Sequence, residues 1–290
     1  MAHNILILGA SYGSLLGTKL LMAGHNVTLV CREETAKLIN EHGTEVRIRL
    51  KGEDTHRTFR SKDLPGRLDA QTPENVAAGA YDLVGLAMQE PQYSAHSLRT
   101  LLIRIADAGI PCLSIMNMPP LPFLKRIPGL DTGKLETAYT NPRVWDRFAP
   151  DLMTLCSPDP QAFRPPEEGA NVLHVGLPTN FKAARFGDRD ANKLLDRLDA
   201  DIAAVRVGRA DVPVKLKAFD SIFVPLAKWS MLLTGNYRCV TRDNVRPIRD
   251  AVHEMLVQLI GRSLGMANPE IDEIVATVDA RLARNQRQSA

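Results

Sequence analysis

Residues 4–32, NILILGASYGSLLGTKLLMAGHNVTLVCR, read as an apolar strand, a glycine-bearing turn, a helix and a second apolar strand that ends on a cation. The run 5–8 has no polar interruption, as in a strand covered by helices on both sheet faces, and it stops at Gly9. Leu16, Leu20 and Ala23 then recur at helical spacing, while Gly13 and Gly17 leave the adjoining stripe without side chains. Such a helix can lie close on the strand and turn its opening N–H groups toward a phosphate. Gly24-His25-Asn26 ends it, and residues 27–30 supply the second parallel strand. The residue just past that strand is where such units meet the adenosine ribose, and here it is Arg32. An acidic side chain would accept hydrogen bonds from a free 2′-hydroxyl, whereas a guanidinium suits a 2′-phosphate through charge-assisted bonds. Gly9, Ala10, Ser11, Tyr12, Gly13 and Arg32 are therefore the candidate cofactor contacts, and NADP rather than NAD is the expected cofactor. The turn departs from Gly-x-Gly-x-x-Gly, being one residue short and lacking the middle glycine. Its context, after one strand, before a helix and ahead of a second strand, supports the reading.

The 290 residues suffice for one large domain or two ordinary ones, and 44% hydrophobic content supports a buried core. With 36 basic and 33 acidic residues the formal charge is only +3, which lacks the strong field of a dedicated nucleic-acid binder. Cys31, Cys112, Cys156 and Cys239 show neither Cys-x-x-Cys nor Cys/His spacing, so they are expected to be reduced and structural, with no metal site. Met1-Ala2-His3-Asn4 runs straight into a strand and no window reaches membrane-span length, so a cytoplasmic protein without membrane contact is expected.

Farther along, 45–50 and 55–60 alternate polar and apolar residues and read as modest, exposed strands. Residues 80–88, AYDLVGLAM, form the next buried strand, 94–108 a helix through Leu98, Leu101, Leu102 and Ile105, and 110–116 another strand. This alternation predicts a parallel, doubly wound sheet of the Rossmann type, with ligands at the carboxyl ends of its strands. Gln89 and Asn117, each just past a strand end, then fall beside the cofactor. From 119 to 169 prolines are dense, which predicts irregular structure or a covering lobe. Residues 171–176 read as a strand, 189–204 as an amphipathic helix and 205–207 as a short closing strand. Beyond 212 only helices are expected, at 214–233, 245–264 and 269–287. The division predicted is an α/β domain over 1–208 and an all-α domain over 209–290, with a cleft between them.

In this order, ILGASYGSLLGTKLLMAGHNVTLVCR, YDLVGLAMQ at 81–89, SIMNM at 114–118, NVLHVG at 171–176 and a helical C-terminal half make the chain resemble the ketopantoate reductase family. Those enzymes use NADPH to reduce a 2-oxo acid to a 2-hydroxy acid in pantothenate synthesis. The resemblance implies a C-terminal domain of the 6-phosphogluconate dehydrogenase type and a substrate that is a 2-oxo acid or related carbonyl. It also assigns Asn117 to the nicotinamide and substrate, and puts Gln89 where the family usually has a lysine. A lysine opening the first long helix of the second domain would polarise the carbonyl and protonate the alkoxide. Here Lys215 keeps the family's Lys-Leu pair, with Phe219 and Phe223 at the asparagine positions. Lys217 has Asp220 and Ser221 nearby as polar partners toward the substrate, and Lys228 is a third candidate. The family's late Thr-Glu-Ile-Asp segment has only Pro269-Glu270-Ile271-Asp272 as a superficial counterpart, where Glu270 fits a helix start better.

Two other readings compete with the reductase: an opine-type or 3-hydroxy-acid dehydrogenase, and a non-catalytic NADP-binding or sensor protein. The apolar C-terminal helices would suit a homodimer.

Overall fold

In the computed structural model, which describes residues 2–49, 54–116, 118–126, 130–155, 162–175, 254–263, 265 and 276, the first apolar run is strand β1 (Asn4–Leu8). Ile5, Leu6, Ile7 and Leu8 are fully buried, as their unbroken hydrophobicity requires. Helix α1 (Tyr12–Met22) follows, and then β2 (Asn26–Val30), which runs parallel to β1 with Val27 beside Ile5. Helix α2 (Glu33–His42) leads into the antiparallel pair β3 (Glu45–Arg49) and β4 (His56–Arg60). After these come β5 (Leu68–Gln71), β6 (Leu83–Leu86), helix α3 (His96–Asp107) and β7 (Cys112–Ser114). Three short strands close the series: β8 (Met153–Leu155), β9 (Ala162–Phe163) and β10 (Val172–Val175).

Six of these strands make one sheet in the order β5-β2-β1-β6-β7-β8, with every neighbouring pair parallel. The chain winds outward from β1 through β2 to β5, then crosses to β6 on the other side of β1. Strand order therefore reverses between β1 and β6, the crevice where open parallel sheets bind ligands. This is the Rossmann-type sheet the sequence predicts. The helix expected over 94–108 is α3, whose Leu98, Leu101, Leu102 and Ile105 are buried as the periodicity requires.

A second sheet, in the order β4-β3-β10-β9, changes the expectation for 45–50. Of these, residues 45–49 do form a strand, but not an exposed one: Val46 and Ile48 are each 1% exposed and pack with Leu15, Leu173 and Val175. Two apolar positions on one face suffice because the outer side of α1 covers them. The strand read at 171–176 is β10, and it belongs to this second sheet, parallel to β3 and antiparallel to β9. Helix α1 is consequently covered on both sides, Leu16 and Leu20 belonging to the core under the first sheet and Leu15 to the core under the second. Only β4 matches the exposed reading, with four of its five residues open to solvent.

Across the polar face of the second sheet several charges pair with one another. Arg47 Nε donates to Glu45 at 2.6 Å and its Nη1 to Glu168 at 2.9 Å, while Arg60 Nε reaches Glu45 at 3.0 Å. Burial raises the Glu45 pKa, but the hydrogen bonds and charges of Arg47 and Arg60 outweigh it and hold the carboxyl below its ordinary value. A depressed carboxylate contributes stability above its unfolded pKa and loses it as the pH falls through the folded one. Glu45→Gln is thus expected to lower the melting temperature at neutral pH, with the difference from the parent fading under acid conditions below the ordinary glutamate range. A difference that persists unchanged into acid would remove the charge argument.

The proline-rich segment is less irregular than its composition suggests. It holds β8, an edge strand of the main sheet, together with a helical turn at Leu121–Leu124 and short 3-10 turns. Trp145, 1% exposed, lies between Tyr93 and Phe148, with ring centroids 5.5 and 5.9 Å away. These aromatics fasten the segment to the core beneath α3. The helix expected within 245–264 is present as Glu254–Ser263. The helix and strand expected at 189–207, the helix at 214–233 and nearly all of 269–287 lie outside the described residues.

Candidate functional site

The turn after β1 sits at the reversal point of the main sheet. Gly9 has φ +107, a conformation that side chains disfavour, and a Cβ there would lie 2.9 Å from both the Ala87 carbonyl oxygen and Met88 Cγ. The two strand ends thus approach more closely than any other residue allows. Their backbones are tied in turn, with Gly9 N donating to Val30 O and Ala87 N to Leu8 O, both at 2.9 Å. Gly13 plays the packing role expected of it, since a Cβ would come within 2.6 Å of Ile7 Cγ2. At Gly17 the nearest atom would be Val27 Cγ1 at 3.4 Å, an ordinary contact, so its lack of a side chain is a smaller matter.

Ala10 and Ser11 carry the chain from Gly9 into α1, which begins at Tyr12 with no side-chain cap from Ser11. The opening N–H groups of a helix have no partner within it, and their partial charge favours an anion. Ser14 Oγ donates to the Ala10 carbonyl. The same oxygen accepts 2.7 Å away from Nη2 of Arg164, a residue just beyond β9. No feature of the sequence singles out Arg164, because its partner lies 154 positions away.

At the end of β2, Cys31 is half-buried and Arg32 is exposed as the residue from which α2 starts. Burial pushes the Cys31 thiol up to about 11, against the opposing pull of Arg164 and Arg32, so it is not a nucleophile at neutral pH. Arg164 feels the reverse: burial, and then the like charge of Arg32, weakens its hold on its proton, with Cys31 acting against them. Two guanidinium groups therefore flank the exit of β2. Helix α2 adds Glu33 and Glu34 in its first turn, and Glu33 is paired with Lys37 at 2.7 Å.

Past β6, Gln89 is exposed, and its N–H donates to the Gln92 side chain at 2.9 Å. Beside it the carboxylate of Glu90, 1% exposed, accepts from Thr140 N at 3.1 Å on each oxygen, and Tyr93 Oη accepts from Met88 N at 3.1 Å. These bonds anchor the strand end on which Gln89 stands. Asn117, Lys215, Lys217, Asp220, Ser221 and Lys228 all lie outside the described residues. The structure accordingly brings together Gly9 to Gly13, Arg32 and Gln89 at the carboxyl edge of the sheet, and adds Arg164 to them. Among the described residues no His/Cys/Asp/Glu group could hold a metal, and no helix is long and apolar enough to cross a membrane.

Comparison with known proteins bears on this edge directly. Residues 5–84, which include the glycine turn, Arg32 and the first half of β6, match the family model described as ketopantoate reductase PanE/ApbA. The likeness to that family is thereby shown. Over the whole chain, a protein assigned as a ketopantoate reductase from Ralstonia solanacearum MolK2 is 17% identical with a TM-score of 0.64, covering 99% of each chain. A Bacillus subtilis protein assigned as a 2-dehydropantoate 2-reductase is 16% identical with a TM-score of 0.55, over 96% of this chain and 99% of its own. D-mandelate dehydrogenase, in a ternary structure with NADH and anilino(oxo)acetate, is 14% identical with a TM-score of 0.55, over 98% and 99%. At such identities the likeness is one of fold, and the fold is that of ketopantoate reductases and related dehydrogenases. No curated protein matches the sequence.

Proposed function

We propose that this ketopantoate reductase-like chain is an NADPH-dependent reductase that converts a 2-oxo acid to the 2-hydroxy acid. The observation that carries the reading is the Gly9 turn at the reversal point of the sheet, with Arg32 at the exit of β2. A dinucleotide fits these residues: the close approach of backbone at Gly9 opens the crevice, α1 begins at its floor, and among the described residues Arg32 makes no ion pair with a carboxylate. Gly9 to Gly13 would hold the pyrophosphate, Arg32 the 2′-phosphate, and Gln89 would hydrogen-bond on the nicotinamide side. The bound cofactor supplies hydride to the carbonyl carbon. Lys215 or Lys217 would donate a proton to the carbonyl oxygen as it becomes an alkoxide, and Asn117 would orient the carbonyl beside it. That D-mandelate dehydrogenase, which shares the fold, was seen with the oxo acid derivative anilino(oxo)acetate is consistent with this substrate class.

The test is oxidation of NADPH and of NADH over a panel of 2-oxo acids, run for the parent chain and for Arg32→Ala. Loss of a charge-assisted contact of about 1.5–3 kcal/mol weakens NADPH by roughly tenfold to a hundredfold, while NADH changes little. Equal losses for both would remove the 2′-phosphate assignment. Tight cofactor binding with no turnover of any oxo acid would overturn the reductase reading in favour of a sensor.

A further inference from the structure

Arg164 is the feature that neither the fold nor the proposed reaction accounts for. It leaves the short strand β9 of the second sheet, crosses to the main sheet, and places Nη2 2.7 Å from the Ala10 carbonyl oxygen. Its Nε is buried without a hydrogen-bond partner among the described residues, so the guanidinium is held in place with part of its bonding capacity unused. Ser14, in the first turn of α1, donates to the same oxygen. A single turn carbonyl thus receives two side-chain donors, one local and one from far along the chain.

The consequence follows from peptide geometry. A trans peptide is planar, so its carbonyl and the N–H of the next residue point in opposite directions. Fixing the Ala10 carbonyl toward Arg164 and Ser14 therefore fixes the Ser11 N–H on the opposite side. Ser11 stands where the dinucleotide motif has its middle glycine, the residue at which backbone comes nearest the pyrophosphate. We infer that Arg164, through its hydrogen bond to Ala10, is a positioning residue that sets the Ser11 peptide for the pyrophosphate of the cofactor. The guanidinium acts through the turn, in contrast to Arg32, which would touch the 2′-phosphate itself. The inference rests on the dinucleotide reading above.

Because both cofactors carry the pyrophosphate and only one carries the 2′-phosphate, the two roles separate in binding measurements. Arg164→Met is expected to weaken NADPH and NADH by the same factor, about tenfold for one charge-assisted hydrogen bond, and to leave 2′-AMP, which has no pyrophosphate, unchanged. Arg164→Lys keeps a donor for the carbonyl and restores most of the affinity. Unchanged affinities, a loss confined to NADPH and 2′-AMP, or failure of lysine to restore binding would each overturn the assignment. If Arg164→Met does not fold, Ser14→Ala takes its place, with an expected common loss of about threefold for the two cofactors from a neutral hydrogen bond; no change there overturns it as well. A parent chain that binds neither cofactor would overturn the dinucleotide reading and this inference together, whereas a parent that binds and an Arg164→Met chain that binds equally well would sink the inference alone.

Discussion

A Gly9→Val chain is expected to lose both cofactor binding and a large part of its stability. Valine is β-branched and stiff at χ1, and it would have to adopt φ +107 with its Cβ only 2.9 Å from the Ala87 carbonyl oxygen and from Met88 Cγ. Met88 can swing aside, but the backbone of Ala87, tied by its N–H to Leu8 O, cannot. The backbone strain costs about 1–3 kcal/mol and the overpacking about as much again. Set against a typical total of about 5–15 kcal/mol, this lowers the melting temperature by many degrees. The turn would also be displaced from the crevice, and misplacement of about 1 Å in such a site costs on the order of a hundredfold. Thermal unfolding and an NADPH titration check both parts. Gly17→Ala is the matched comparison, because its new methyl would meet only an ordinary contact at 3.4 Å. Similar behaviour of the two variants would show that the closeness of the strand ends is not what matters.

The larger effect on catalysis belongs to a lysine. Removing the general acid from a carbonyl reduction is expected to lower kcat by about 10²–10⁴-fold, since the alkoxide would have to take its proton from water. Lys215→Ala and Lys217→Ala, assayed with NADPH and the best 2-oxo acid of the panel, would therefore give one variant nearly inactive and one close to the parent. The inactive one should still bind NADPH, as the glycine turn and Arg32 are untouched. A kcat within a few-fold of the parent in both variants would exclude either lysine as the proton donor.

How far the chain could be read without coordinates depended on how strongly each element advertises itself. β1, α1 and β2 are legible because two short, mainly apolar runs are bounded by glycine and joined at the length of one helix. α2 went unread because Glu33–His42 buries only Ala36 and Ile39, too few positions to show a period. β5 is four residues with an aspartate among them, and its place depends on a remote clamp: Asn40 bonds both the N–H and the carbonyl of Ala70 at 2.8 Å. β8 was masked by the prolines around it, although Met153, Thr154 and Leu155 are all buried. At the site the same distinction applies. Gly9 and Arg32 stand out in the sequence as candidates because the unit that holds them is local. Arg164 was not, because a hydrogen bond to a carbonyl leaves no mark in sequence spacing.

The second sheet has a consequence for the order in which the protein can assemble on the ribosome. The strand that completes it, β10, pairs with β3 through residues more than a hundred positions later in the chain. Until residue 175 has been synthesised, the core that Leu15 shares with Val46 and Ile48 lacks Ala162, Leu173 and Val175, so the β1-α1-β2 unit emerges first but cannot finish its burial alone. Such non-local closure slows folding and leaves an apolar surface exposed on the nascent chain, where it can attract other chains. A fragment cut before β9 would also lack Arg164, so the half built on β1, α1 and β2 should mature only when the chain has grown far past its own last strand.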